Sequence, residues 1–322
     1  AYPRKRLRSI SVFGRLHLPL PSRALILLLA SSEPLHGHLP SPGVLLVLVV
    51  ARLLNPRRRV TAHWHCFLDP DTSLIGRLYA LYQHLALLVL PRLCGVITTS
   101  PILRAELLRC GCHPDRVTVL SCCLSAEQEV AALAMPDRSV CLGQPLQLLF
   151  IGRLDSYKRL DWLLQALSTL SSPWRLVVVG DGPRRLVFES LSRELFADQA
   201  DRLVQFLGRL DERAKLAQLA LAHVLVLPSD CSNEAFGIVQ LEAMAAGIPA
   251  LAFQRSRSGM GWVGQLPGLR WAQRPDALAE VLQRLAADPA LPSRLGCQAR
   301  QRYMALFARG VWLQTLRAWD RR

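Results

Sequence analysis

Two glutamates, Glu234 and Glu242, stand eight positions apart in the segment SNEAFGIVQLEAMAAGIP at 232–249. Well ahead of them, FIGRLDSYKRLDWLL carries Arg153 and Lys158 just after a β-rich run. A carboxylate accepts two hydrogen bonds at once and so suits the vicinal hydroxyls of a sugar. An arginine fork with a lysine point charge suits a diphosphate. Standing alone, Arg153 and Lys158 would pass for solvated surface cations; their place at a strand end argues otherwise. Lys158 also stands out by composition, because arginine supplies all but three of the 39 basic residues. The run HVLVLPSD reads as a strand, and the residues from Phe236-Gly237 onward as a helix. Backbone N–H groups of Gly237, Ile238 and Val239 would then open that helix and face phosphate oxygens. Burying two acids without partners is costly, so a polyhydroxylated ligand accounts for them better than packing does.

Elements that could position these residues recur from about residue 147. Short β-rich runs at 147–151 (QLLFI), 175–179 (RLVVV), 203–207 (LVQFL), 223–227 (HVLVL) and 249–253 (PALAF) alternate with helix-length stretches at 160–170, 183–195, 213–221 and 238–246. Such alternation predicts parallel βα units with helices on both faces of a sheet. Three of the strands run into glycine, at Gly152, Gly180 and Gly208. Glycine at the carboxyl end of a parallel strand lets backbone approach a ligand, so a nucleotide-sized crevice is expected along that edge. The first half reads as helix 22–30, strand 35–38, helix 43–54, strand 60–64, helix 73–90, strand 95–99, helix 101–110 and strand 116–120. It opens on a basic tract rather than a strand. The stretch 124–146, with Pro136, Gly143 and Pro145, reads as a linker. The expected architecture is α/β, with two Rossmann-like domains, 1–140 and 141–322, facing across a cleft.

Composition narrows the classes further. A length of 322 residues suits two domains. With 51% hydrophobic and only 7% aromatic residues, helices on buried parallel strands are favoured over an all-β barrel. No unbroken apolar run approaches the roughly 20 residues of a membrane-spanning helix. The longest, GVLLVLVVA at 43–51, ends at Arg52. The net charge of +15 is uneven, with ten Lys/Arg and a single acid, Glu33, in residues 1–60. Arginine-biased composition accounts for that charge. No basic–aromatic interleaving, zinc-finger or helix-turn-helix pattern supports a nucleic-acid partner. The segment SLIGRLYALYQHLALLVLPR at 73–92 suits either an interfacial helix or a core helix. Nine cysteines without zinc-site spacing read as reduced thiols. The expected location is cytoplasmic, with peripheral contact at the inner face of the membrane.

Four stretches carry a family resemblance: GRL-x3-K at 152–158, VVVGDGP at 177–183, FLGRL at 206–210 and EAFGIVQLEAMAAGIP at 234–249. Together they resemble the GT4 family of retaining, nucleotide-sugar-dependent glycosyltransferases with the GT-B fold. The likeness covers the second domain nearly end to end, and its E-x7-E spacing is the most specific part. It implies a hexosyl-type transferase that moves a sugar from an NDP-sugar donor to a glycan or lipid-linked acceptor with retention of configuration. It further implies that Glu234 contacts donor-sugar hydroxyls and that Glu242 holds the ribose. Arg153 and Lys158 would neutralise the diphosphate, helped by the amides of Gly237, Ile238 and Val239. Gly152, Phe236 and the backbone near Leu207 would complete the donor site. With those cations in place, the resemblance implies no metal and no cofactor.

The first domain carries a weaker likeness. HGHLPSP at 36–42 looks like the family's histidine-rich turn, and VTAHWHCF at 60–67 like the strand whose final histidine lines the reaction centre. His65 is the candidate; His63, two residues earlier on the same face, is the alternative. ITTSPILRAELLRCG at 97–111 is similar to the segment that closes this domain, with Ser100 structural. The last helix, about 311–319, is expected to cross back to the first domain. The family's glycine-rich loop has no counterpart, so the chain is expected to lack an N-terminal portion. QRSRSGM at 254–260 replaces a glycine pair. Two readings from other classes stand beside this one: a catalytically inactive GT-B-like binding module, and a basic membrane-surface or polyanion-binding protein.

Overall fold

The computed structural model describes residues 6–12, 16–136, 144–197, 199 and 201–321. The chain divides into two compact units, Ala1–Leu120 and Ser121–Arg322.

The first unit begins with an antiparallel hairpin, β1 (Ser9–Val12) and β2 (Leu16–Pro19), where a strandless basic tract was expected. These two four-residue strands show too little alternation to be read from sequence. There follow α1 (Arg23–Ala30), β3 (Leu35–Leu39), α2 (Pro42–Leu54), β4 (Val60–Trp64), α3 (Leu74–Val89), β5 (Gly95–Thr98), α4 (Pro101–Arg109) and β6 (Val117–Val119). Strands β3 to β6 form a parallel sheet in sequence order. Its core gathers Leu39, Leu48, Trp64, Phe67, Ile97 and Leu103. The helices start where a serine can accept an orphan N–H: Ser73 Oγ from Gly76, and Ser100 Oγ from Leu103. Ser100 is therefore the structural residue expected. Part of the basic charge is structural too. Buried Arg58 donates to the carbonyls of Glu33 and Leu28 at 2.6 and 2.9 Å.

Helix α3 departs from the core-helix alternative. Within it only Gly76, Gln83 and Ala86 are buried, while Leu74, Ile75, Leu78, Leu81, Leu85 and Leu88 are exposed. With the following 3-10 turn, Leu74–Arg92 is the one described helix long and apolar enough to cross a membrane by length and composition. A search for an unbroken apolar run overlooks it, because Arg77, Gln83 and His84 interrupt the leucines.

The second unit comprises α5 (Ala126–Leu133), β7 (Leu146–Ile151), α6 (Leu160–Ser168), β8 (Trp174–Val179), α7 (Arg185–Phe196), β9 (Arg202–Gly208), α8 (Glu212–Leu221) and β10 (Val224–Leu227). It continues with α9 (Val239–Ala245), β11 (Ala250–Ala252), α10 (Met260–Val263), α11 (Leu278–Ala287), α12 (Ala290–Leu306) and α13 (Arg309–Asp320). The strands are all parallel, in the order β11-β10-β7-β8-β9. Strands β7 and β10 are buried almost throughout, as sheets covered by helices on both faces require.

Part of the expected linker proves helical. Ser125 and Gln128 close a capping box on α5. Glu129 on that helix accepts from Tyr303 Oη and the Arg309 N–H, both at 2.8 Å. These bonds tie α5 to α12 and to the start of α13, so the division between units falls ahead of residue 140. The terminal helix, expected over 311–319, runs Arg309–Asp320 and groups with the second unit.

Gly180 shows how tightly the strand ends pack. Its φ is +133°, and a Cβ built there would lie 1.8 Å from the Gly152 carbonyl oxygen. Gly180→Ala is expected to lose about 2–5 kcal/mol of stability through backbone strain and overpacking, read by urea denaturation of the second unit's transition. A loss under 0.5 kcal/mol would contradict this packing.

Candidate functional site

Chain order in the second sheet reverses at β7. The path runs β7, β8, β9 to one side, and β10 then returns to the other side of β7. The loops after β7 and β10 therefore leave from neighbouring carboxyl ends, at the switch point where open α/β sheets bind ligands. Gly152, Arg153 and Lys158 are on the first loop; Glu234 and the lead into α9 are on the second. Hydrogen bonds knit the two together. The Asp230 N–H donates to the Tyr157 carbonyl at 2.9 Å. Arg159, in a left-handed conformation at φ 49°, grips Asp161 through two nitrogens at 3.1 and 2.8 Å and reaches Asp230 at 3.3 Å. Its guanidinium also stacks 3.9 Å over the Trp162 ring. Sequence reasoning passed over Arg159, which looked like one more arginine in an arginine-rich chain.

Each of the two glutamates meets a lysine. Lys158, buried to 8% exposure, forms an ion pair with Glu234. Lys215 Nζ lies 2.9 Å from Glu242 Oε1 and 2.9 Å from Glu212 Oε1. Burial raises the Glu242 pKa above its ordinary value, and Lys215 opposes that shift only in part. Burial works against the Lys215 ammonium, but its hydrogen bonds to Glu212 and Glu242 outweigh it, and its pKa is raised. Glu242 Oε2 is buried with no hydrogen-bond partner. An orphaned carboxylate oxygen in a low-dielectric site is costly, and a ligand hydroxyl donating to it would remove that cost.

Other expected site residues distribute unevenly. Arg153 is mostly exposed and sits 3.4 Å from Asp155; it does not share the Lys158–Glu234 pair. Leu207 is the bulge residue of β9. Val178 pairs with Phe206 and Val179 with Gly208, which leaves Leu207 outside the register, and a bulge frees backbone groups from the ladder. Helix α9 starts at Val239, later than the expected Phe236-Gly237. Gly237 has φ +70°, and a Cβ there would meet Leu227 Cδ2 at 2.4 Å, so this glycine turns the chain into the helix. The Phe236 ring packs inward, edge-on to Phe307 at 5.8 Å; it is a core group, and only its backbone is left for a ligand. Ile238 is exposed, and Val239 packs against the core. A surface pocket between α8 and the sheet, lined by Leu149, Val177, Gln205 and Gln218, includes none of these residues.

In the first unit, both histidine candidates belong to one group. Parallel pairing sets His38 opposite His63 and His36 opposite Thr61. Alternate residues of a strand share a face, so HGH and HWH bring their rings to the same side. His63 and His65 stack at 4.0 Å, and His38 stacks on His65 at 5.0 Å. His38 Nδ1 and His65 Nε2 share a hydrogen bond of 2.7 Å, and His36 Nδ1 lies 2.8 Å from Thr61 Oγ1. Burial, then repulsion from neighbouring imidazoles, lowers the His63 pKa to about 3 and that of His36 to about 4. The same causes lower His65. His36 and His63 are therefore uncharged at neutral pH. His36 and His38 had been noted only as part of a turn.

Residues 138–302, just over half of the chain, match the family described as Glycosyl transferases group 1. The chain belongs to that family. Over 169 residues it is 34% identical to the D-rhamnosyltransferase WbpZ of Pseudomonas aeruginosa, covering 51% of this chain and 42% of WbpZ. Over 167 residues it is 32% identical to the glycogen synthase of Mycobacterium tuberculosis, covering 51% of this chain and 39% of the relative. The chain thus spans less than half the length of these relatives. Its fold is GT-B, as the crystal structure of Anabaena HepE in complex with UDP illustrates, at a TM-score of 0.68 and 15% identity over 92% of this chain and 81% of HepE.

Within this family member, Lys215 is a further site residue that sequence reasoning missed. The signal was present, because the chain holds only three lysines and the same rarity had marked Lys158. Lys215→Met leaves Glu242 buried without its cation. Removing one partner of such a pair costs about 3 kcal/mol. The folded-state pKa of Glu242 is already raised and would rise further, so the penalty appears as pH rises through it. It is absent below the unfolded carboxyl value of about 4.3. Chemical denaturation of Lys215→Met is expected to show the loss at pH 7 and little of it at pH 4. An equal loss at both pH values would contradict a charge-based role.

Proposed function

We propose that this family member transfers a hexosyl-type sugar from a nucleoside-diphosphate sugar to a glycan or lipid-linked acceptor, with retention of configuration. The observation that carries the proposal is the buried, unpartnered Oε2 of Glu242, whose other oxygen pairs with Lys215, together with the Lys158–Glu234 pair on the loops at the switch point of a parallel sheet. The relatives named above act on sugars by their descriptions, and HepE was solved with UDP. Glu242 would accept from ribose hydroxyls, Glu234 from the donor sugar, and the bulged backbone at Leu207 would meet the base. As the bond between the anomeric carbon and the diphosphate breaks, negative charge grows on the leaving oxygen. Lys158, with Arg153 swung in from solvent, would offset that charge in a partly dry site. This arrangement asks for no metal at the diphosphate. The acceptor would approach on the face the diphosphate leaves, and no protein nucleophile is assigned; His65, on the first unit, is the candidate that the family resemblance offers for the reaction centre.

Free nucleotide at 100 times its dissociation constant should add about 2.7 kcal/mol of stability. Among UDP, GDP and ADP, one is expected to stabilise the chain selectively, with the effect lost in both Glu242→Ala and Lys158→Ala. No shift with any nucleotide, in a chain that melts cooperatively, would sink the donor site. Nucleotide binding without turnover would favour an inactive binding module. Steeply salt-dependent binding to polyanions without nucleotide selectivity would favour the polyanion reading.

The exposed leucines of α3, flanked by Arg77 and Arg92, support peripheral contact with the cytoplasmic face of a membrane. Flotation with anionic vesicles is expected to carry the intact chain upward, and to fail for Leu78→Glu/Leu85→Glu. Equal flotation of both proteins would reject that contact.

A further inference from the structure

We propose that His38, His63 and His65 form a binding site for a borderline transition-metal cation, Zn2+ above all. Among the described residues this is the one group whose histidine, cysteine or carboxylate ligand atoms converge, all within 4.8 Å of one another. The convergence is built into the sheet. HGH on β3 and HWH at the end of β4 point alternate side chains to one face, and the parallel register sets His38 opposite His63. A backbone bond from the His65 N–H to the Leu39 carbonyl at 2.9 Å extends that register past the strand end. Three imidazoles are the ligand set of open zinc sites, which keep a fourth position for water or substrate. Bonds of 2.0–2.1 Å in a tetrahedron bring ligand nitrogens to about 3.3 Å apart. The pair His38 Nδ1 and His65 Nε2, now at 2.7 Å, would open by about 0.6 Å, and the third nitrogen, within 4.8 Å of both, would draw in. The stacked rings would turn out of their near-parallel planes to aim their lone pairs at one point.

One further observation favours a cation over bare packing. His63 Nε2 is buried and has no hydrogen-bond partner, an orphan that a metal bond would satisfy. The His38–His65 hydrogen bond is satisfied, but its proton can pass to the outward nitrogen of the donating ring, so both inner nitrogens can coordinate without losing a proton to solvent. Imidazole ligands suit zinc, copper and nickel rather than magnesium or calcium. The functional consequence rests on the transferase reading: a cation here holds His65 in coordination, so zinc is expected to inhibit sugar transfer rather than support it.

The test titrates the intact chain with CoCl2 and ZnCl2. One equivalent of Co2+ is expected to give the visible bands of four-coordinate cobalt without the sulfur-to-cobalt charge-transfer band of a cysteine ligand, and Zn2+ should displace it. His38→Ala and His63→Ala should each weaken binding at least tenfold, while exposed His113→Ala leaves it unchanged. Should either alanine variant melt non-cooperatively, His38→Gln and His63→Gln replace it. Binding below one equivalent, a thiolate spectrum, or affinity that survives both substitutions overturns the site. Turnover is read separately. Binding as expected with unaffected turnover removes the inhibitory consequence and leaves the metal site standing, and a chain without turnover bears on the transferase reading alone.

Discussion

Charge held at a dry sheet edge is the constraint from which the second unit's organisation follows. Glu242 is nearly buried, Lys158 is nearly buried, and neither could stay there alone. Each therefore has an opposite charge supplied from another loop or helix: Lys215 comes from α8, and Glu234 from the loop after β10. The partnership is incomplete at one atom, Glu242 Oε2. A fully satisfied network would be a structural feature; one short of a donor is better suited to a ligand.

The sheet makes the arrangement possible. Parallel strands bring loops to one edge, and the reversal of order at β7 sets the loops of β7 and β10 side by side. The Asp230–Tyr157 bond and the Arg159 network then hold those loops in register, so Lys158 and Glu234 meet although 76 positions separate them in sequence. Gly180 and Gly237 supply backbone turns that no other residue could make at those positions without a clash.

Much of this was legible in advance, for identifiable reasons. Four of the second unit's strands, β7 to β10, are β-rich runs closed by Gly152, Gly180, Gly208 and Pro228, a pattern that sequence alone displays. The glutamate pair and Lys158 announced themselves by spacing and rarity. Features that depend on contacts did not. Helix α5 ends at Leu133, ahead of Pro136, in a stretch whose prolines read as linker, and its capping box at Ser125 and Gln128 was the missed signal. Phe236 looked like a ligand residue because it adjoins Gly237, but hydrophobic burial claimed its ring. The Leu207 bulge and the four-histidine face arise from strand register, which single-strand patterns do not encode.

The central proposal is that Lys158, paired with Glu234 in the structure, would exchange that carboxylate for the diphosphate of a donor. Calorimetric titration of the stabilising nucleoside diphosphate onto Glu234→Gln tests it directly. With the competing carboxylate gone, the free diphosphate is expected to bind several-fold more tightly than to the unaltered chain, while transfer from the intact nucleotide sugar falls. Unchanged or weaker diphosphate binding in Glu234→Gln would show that the pair does not guard the phosphate site, and the account of the site would fail with it.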